Sequence, residues 1–140
     1  MKTKLLFIAG SCLFCLALSL LSGCGNKNEE RVVRMVEMQI GDGSTFVVTN
    51  VRDDGNETFS LTMFVSIQQR DALRFERRFE QCKNEVFDRV ATVLRESSRD
   101  ERLEAGHTAI KERVKQTIND VLGTPWVQQV LFTEITLAVE

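Results

Sequence analysis

The sequence predicts an α+β fold: a small antiparallel or mixed sheet in β-β-α-α-β order, with two helices on one face. Three observations predict it. Residues 57–68 alternate apolar and polar side chains with period two, as a half-buried strand does. Residues 71–96 repeat apolar side chains every three or four positions, as an amphipathic helix does. Near the C-terminus a helical stretch, Leu103–Leu122, meets the stop Gly123-Thr124-Pro125, and Trp126–Glu140 then reads as one long apolar strand. Strands followed by helices point to α+β rather than to a repeated βαβ unit, and the last strand must pair within the sheet to bury its apolar side chains.

The 140 residues set one domain with a modest core. A hydrophobic fraction of 43%, a charged fraction of 27% and a single Pro place the chain among globular proteins rather than disordered ones. Basic residues are interspersed with acidic ones and form no stripe, which argues against a nucleic-acid partner.

The N-terminus is read as a targeting segment and kept out of the fold. Lys2 and Lys4 form a short positive region, and Leu5–Leu21 is apolar apart from Gly10, Ser11 and Ser19. The run ends in Leu21-Ser22-Gly23-Cys24, which resembles a bacterial lipobox. Small residues before the cysteine give a peptidase access to the bond, and the Cys24 thiol carries the lipid. The expected organisation is a signal peptide over 1–23, a short tether over 24–31 beginning at lipidated Cys24, and an extracytoplasmic domain over 32–140. The other reading is an uncleaved transmembrane anchor, since about 19 apolar residues can span a bilayer. Both readings place the domain outside the cytoplasm, anchored in the cell envelope. Inner and outer membrane stay open, with Gly25 after the acylated Cys favouring the outer in enterobacterial-type sorting. Losing 1–23 removes two Lys and no acid, so the formal charge moves from −2 to −4. Acyl chains, not attraction to anionic lipid, are therefore the anchor. Cys12 and Cys15 leave with the apolar run, and Cys82 is then alone in the domain, so no intramolecular disulfide is expected.

Within the domain, residues 31–40 alternate weakly and are read as a short first strand, followed by a turn at Gly41-Asp42-Gly43-Ser44. Thr45–Val51 is a β-branched strand, and Arg52-Asp53-Asp54-Gly55-Asn56 connects it as a hairpin to residues 57–68. In that strand Phe59, Leu61, Met63, Val65 and Ile67 share one face. The helix over 71–96 buries Phe75, Phe79, Cys82, Val86, Val90 and Val93 and turns its charges outward. Ser98 and Glu101 fit a capping box. The next helix is expected to bury Leu103, Ile110, Val114, Ile118 and Val121 with His107 on the same stripe, while Gly106 marks a kink, a close contact or a later start. In the last strand the apolar positions are even at Val130 and Phe132 and odd at Ile135, Leu137 and Val139. A bulge near Thr133-Glu134 explains this, as does a central strand covered on both faces.

No catalytic set, metal set or cofactor loop is expected. His107 is the single His and has no second His or thiol at ligand spacing. There is no Gly-rich phosphate loop and no nucleophile elbow. Cys82 lies on an apolar stripe and is read as structural. Glu134 is read as solvated or as an inter-subunit contact, Phe75, Phe79 and Phe87 as core, and Trp126 as a staple between helix end and sheet.

The C-terminal unit carries a resemblance. Leu103-Glu104-Ala105-Gly106-His107, Ile110, Val114, Ile118-Asn119-x-x-Leu122 and Val127-x-x-Val130-Leu131-Phe132-Thr133-Glu134-Ile135 follow one another as in the flagellar basal-body-associated protein FliL family. Phe46-Val47-Val48-Thr49-Asn50-Val51 is similar to that family's first strand. The resemblance implies a fold like the stomatin/prohibitin-homology domain and a non-enzymatic accessory role beside the flagellar stator. It also implies homo-oligomers and stator proteins as partners. The chain departs from the family in having His107 for a Lys or Arg, Leu131 and Ile135 for aromatics, and a lipobox with a short tether for a retained helix with a longer linker. The alternative function is a general cell-envelope lipoprotein that uses such a domain as a scaffold.

Overall fold

The structure is a computed structural model that describes residues 33–41, 45–52 and 55–139. The signal peptide, Cys24, the tether, most of the turn at 41–44 and the Asp53-Asp54 tip lie outside the described residues.

Four strands form one antiparallel sheet: β1 (Met35–Ile40), β2 (Phe46–Arg52), β3 (Gly55–Gln68) and β4 (Val127–Val139). Between β3 and β4 the chain makes a 3₁₀ turn (Gln69–Asp71) and three helices, α1 (Ala72–Glu96), α2 (Arg99–Leu103) and α3 (Thr108–Leu122). The α+β class and the small antiparallel sheet agree with the sequence reading.

β3 is the spine. β4 runs along one side of it for nearly its whole length. On the other side β2 pairs with its first half and β1 with its second, Phe46 opposite Leu61 and Ile40 opposite Met63. β1 and β2 therefore follow one another along the same edge of β3, with Thr62 the one β3 residue between their pairings.

The period-two pattern of β3 is realised. Phe59, Leu61, Met63, Val65 and Ile67 are buried on one face, with Ile40 and Val48 beside them. The stripes of α1 (Phe75, Phe79, Val86, Val90, Leu94) and α3 (Ile110, Val114, Ile118, Val121, Leu122) close the same core. Cys82 and Val93 are only partly buried at its margin. The opposite face of the sheet carries Thr49, Thr58, Ser60, Thr62, Phe64, Leu131, Thr133 and Thr136; among the described residues no helix packs over it, and Val47 is 61% exposed.

The single helix expected over 103–122 is two. The Ser98–Glu101 capping box is present and starts α2, which lasts five residues. The chain then breaks at Gly106-His107, and α3 begins at Thr108 with His107 in the left-handed region at φ 50°. Leu103, expected inside, is 60% exposed because α2 turns its Arg102 inward instead. The choice of buried residue was made by an ion pair, not by hydrophobicity.

The stop at Gly123 is real. Gly123 takes φ 72°, its N–H donates to the Asp120 carbonyl, and the Thr124 N–H donates back to Asn119. No atom lies within 4 Å of where a Cβ would stand. Gly123→Ala is therefore expected to cost about 1 kcal/mol, all of it backbone strain. Urea unfolding checks this, and a loss near zero would mean that the turn tolerates a right-handed residue.

The phase change in β4 is a bulge. Ser60 pairs with Thr136 and Thr62 with Thr133, so Leu61 faces both Glu134 and Ile135. Glu134 adopts φ 53°, and the Thr62 hydroxyl donates to its carboxylate at 2.7 Å. A second irregularity between Ser66 and Ile67 absorbs one more residue of β4. β4 lies at the edge of the sheet, so of the two explanations open from sequence the bulge is the one found.

Candidate functional site

The most constrained polar group of residues sits where α1, α2 and β3 meet. Glu57 has the same parity as Phe59 and Leu61, so the pleat of β3 drives its side chain inward, where it is buried. Arg102 is buried opposite it, and its Nη1 donates to Glu57 Oε1. Three more of its five N–H groups are also used: Nε to Ser97 Oγ at 2.8 Å, and Nη2 to the carbonyls of Ser97 at 2.6 Å and Arg95 at 3.1 Å. The Arg99 guanidinium stands 3.9 Å from the other Glu57 oxygen.

This pair does two jobs. The last carbonyls of a helix have no partner within it. Here Ser97 Oγ donates to Leu94 at 2.6 Å, and the Asn50 amide joins Arg102 on Arg95 at 3.0 Å. Arg102 is thus a buried C-cap that also complements the α1 dipole. It fixes the end of α1 to the hairpin β2–β3 as well.

His107 completes the cluster. Its Nε2–H donates to the Arg102 carbonyl at 3.0 Å, and its Nδ1 is buried with no hydrogen-bond partner among the described residues. Its ring stacks on Phe59 and meets Phe132 edge-on. The sequence placed His107 on the helix stripe; the structure puts it one residue before the helix, where its ring seals the core.

Glu101 closes the outside of this corner. It accepts from the Ser98 N–H at 2.7 Å and lies 3.2 Å from Arg113. The Ser98 backbone hydrogen bond holds its carboxyl below the ordinary value of 4.5, against the opposing effect of burial, and the charges of Arg113 and Arg102 add to the lowering. A carboxyl lowered by folding stabilises the fold fully above its unfolded value, and that contribution fades as pH falls below 4.5. Glu101→Gln is therefore expected to lower the urea midpoint at about pH 7, with a smaller gap from the parent at about pH 3. A gap of equal size at both values would remove the charge from the explanation.

The other candidates scatter. Cys82 is a partly buried thiol on α1. Glu134 is exposed at the bulge. Phe75 and Phe79 are core, and Phe87 links Phe79 to Phe46 edge-on. Trp126 packs against the core, but the staple between α3 and β4 is Asn119, whose side chain donates to the Val127 carbonyl at 3.0 Å and accepts its N–H at 2.9 Å. A shallow hollow of about 280 Å³ lies by Thr108, Lys111, Lys115 and Gln128. Its cations are engaged, Lys115 on Glu112 at 2.7 Å and Lys111 over the Phe132 ring, so no polar set converges there. Among the described residues no group of three or more His, Cys, Asp or Glu has metal-holding geometry. Among them, too, no helix is long and apolar enough to cross a membrane.

No family model matches the chain, and comparison with curated proteins finds no match. The functional reading therefore rests on the residues themselves.

Residue-level reading of the sequence missed Glu57 and Arg102. The parity of Glu57 with Phe59 was the available signal, since a charge in register with a buried set demands a buried partner.

Proposed function

We propose that this protein is a non-catalytic, lipid-tethered accessory protein of the flagellar basal body that self-associates and assists the stator in motility. The observation that carries this reading is the FliL-like pattern over residues 103–135, taken with what its residues do. Gly106-His107 is the break that starts α3. Asn119 ties the end of α3 to Val127. Thr133-Glu134 is the bulge of β4. The pattern thus falls on turning points of the backbone and on one inter-element clamp. Such a pattern specifies a fold, and it fits a protein whose work is assembly rather than turnover. In this reading the hairpin β2–β3, the long helices α1 and α3, and β4 would be the β-β-α-α-β unit of a domain akin to the stomatin/prohibitin-homology fold, with β1 and α2 as additions.

Cys24 attaches this domain to the membrane through acyl chains in the proposal. Metabolic labelling with an alkyne fatty acid is expected to mark the parent chain and to leave Cys24→Ser as an unlabelled precursor. Equal labelling and equal membrane partition of both would sink the lipid anchor.

A second reading is favoured by the eight residues between Cys24 and Val33, a tether shorter than the resembled family's. In that reading the domain is a scaffold of the cell envelope unrelated to flagella. Loss of the gene would then disturb the envelope and leave swimming intact.

A further inference from the structure

The sheet has two edges, and they differ. One is divided: β1 and β2 form it in runs of six and seven residues, and each run carries charge, Glu37 in β1 and Arg52 in β2. The other is β4 alone, 13 residues long, and among the described residues no strand pairs with its outer side. Those residues include no Lys, Arg or Pro and a single acid, Glu134, in a chain that is 27% charged. The free N–H and C=O groups of an edge strand are a template for another strand, so edges are ordinarily blunted by Lys, by Pro, by short length or by a bulge. On β4 only the bulge is present.

The bulge divides β4 into unlike halves. Along the first half α3 supplies charge, with Lys111 over the Phe132 ring and Lys115 beside it at the hollow lined by Gln128 and Gln129. Past Glu134 the strand returns to regular pairing, from Thr136 with Ser60 to Val139 with Glu57. Here Thr136 and Ala138 are exposed, as are Ile135 at 38% and Val139 at 62%. Ile135, Leu137 and Val139 share the core-side face of the strand, and Thr136 and Ala138 share the other.

The same residues select the occupant. A free backbone ladder takes an extended strand. A partner recognised by charge would find one carboxylate, and that one already accepts from the Thr62 hydroxyl at 2.7 Å. What is left to match is the alternation itself, large and apolar on one face, small and uncharged on the other. A second copy of β4 carries that alternation in the same phase. Run antiparallel about a two-fold axis at Thr136, Ile135 of one copy meets Leu137 of the other, Thr136 meets its own copy, and Glu134 meets Ala138. Like faces then adjoin, and no carboxylate stands opposite another.

We infer that the chain self-associates by antiparallel pairing of the half of β4 past the bulge with the same segment of a second copy, which joins two four-stranded sheets into one of eight strands. The inference rests on the self-association in the proposed function and gives it a surface. The part played in motility is a separate matter, and the two are tested apart.

The test uses the full-length chain in its own membrane, with Cys82→Ser as background. Under mild copper oxidation, and counted above the background chain, Thr136→Cys is expected to convert about half of the protein to a disulfide-linked dimer, because cysteines facing each other across the axis stand within bonding distance. Val47→Cys, on the other edge, is expected to give less than about a tenth. Between two differently tagged copies, Thr136→Lys is expected to lower co-capture about fivefold, because it sets like charges opposite each other. Thr136→Lys with Thr136→Glu is expected to restore it, which a misfolded variant would not do. Cross-linking at Thr136→Cys no greater than at Val47→Cys, or co-capture of Thr136→Lys by its own copy at the parental level, would overturn the pairing and leave the flagellar role standing. Both results as expected, with a deletion strain that swims normally, would keep the pairing and remove the flagellar role alone.

Discussion

Arg102→Met is expected to destabilise the domain by about 3–5 kcal/mol, because it leaves Glu57 charged, buried and without its main partner. The domain as a whole has on the order of 5–15 kcal/mol, so this one change brings it close to unfolding at ambient temperature. The loss has two parts. One is the stranded carboxylate. The other is the opened end of α1, where the carbonyls of Arg95 and Ser97 lose Nη2. The double variant Glu57→Met with Arg102→Met separates them. It removes the stranded charge but not the missing cap, so it should recover part of the loss. Urea unfolding of the four proteins of the cycle reads this directly. A single-variant loss within about 0.5 kcal/mol of zero would reduce the pair to the rank of a surface ion pair.

Phe59→Ala is expected to cost about 3–5 kcal/mol for a different reason. Phe59 is fully buried in the middle of β3, paired with Val48 on one side and Leu137 on the other. Its ring supports His107 and lies under the Arg102 guanidinium. Removing it opens a cavity that neighbours fixed by the sheet cannot fill, and takes away the floor of the buried cluster. Ser60→Ala on the open face is the comparison, expected within about 0.5 kcal/mol of the parent. Similar losses at both positions would mean that the two faces of the sheet are not distinguished as described.

Much of the architecture was legible because each element obeys one local rule. β3 shows its two faces in alternate residues, α1 shows its stripe in Phe75, Phe79, Val86 and Val90, and Gly123 marks its turn. The phase change in β4 was legible too, because Val130 and Phe132 are out of phase with Leu137, but it fitted a bulge and a central strand equally until the pairing was seen. What was not legible was long-range. Arg102 and Glu57 lie 45 residues apart, and neither position announces the other. Leu103 followed the apolar spacing and was wrong for that reason: a helix of five residues presents little more than one side chain inward, and the ion pair took that place. The turn at 41–44 was read, but that the strands on either side of it pair with two halves of the same edge of β3 was hidden. Asn119 lay in full view within the family-like pattern, but its clamp on Val127 appears only once helix and strand are set side by side.

The central claim is that this fold serves the flagellar motor. A strain lacking the gene is expected to form smaller swimming rings in soft agar and to slow more than its parent in viscous medium. Expression of the parent chain should restore both, and expression of Cys24→Ser should restore neither. A deletion strain that swims like its parent in both media would contradict the flagellar role and leave the envelope-scaffold reading in its place.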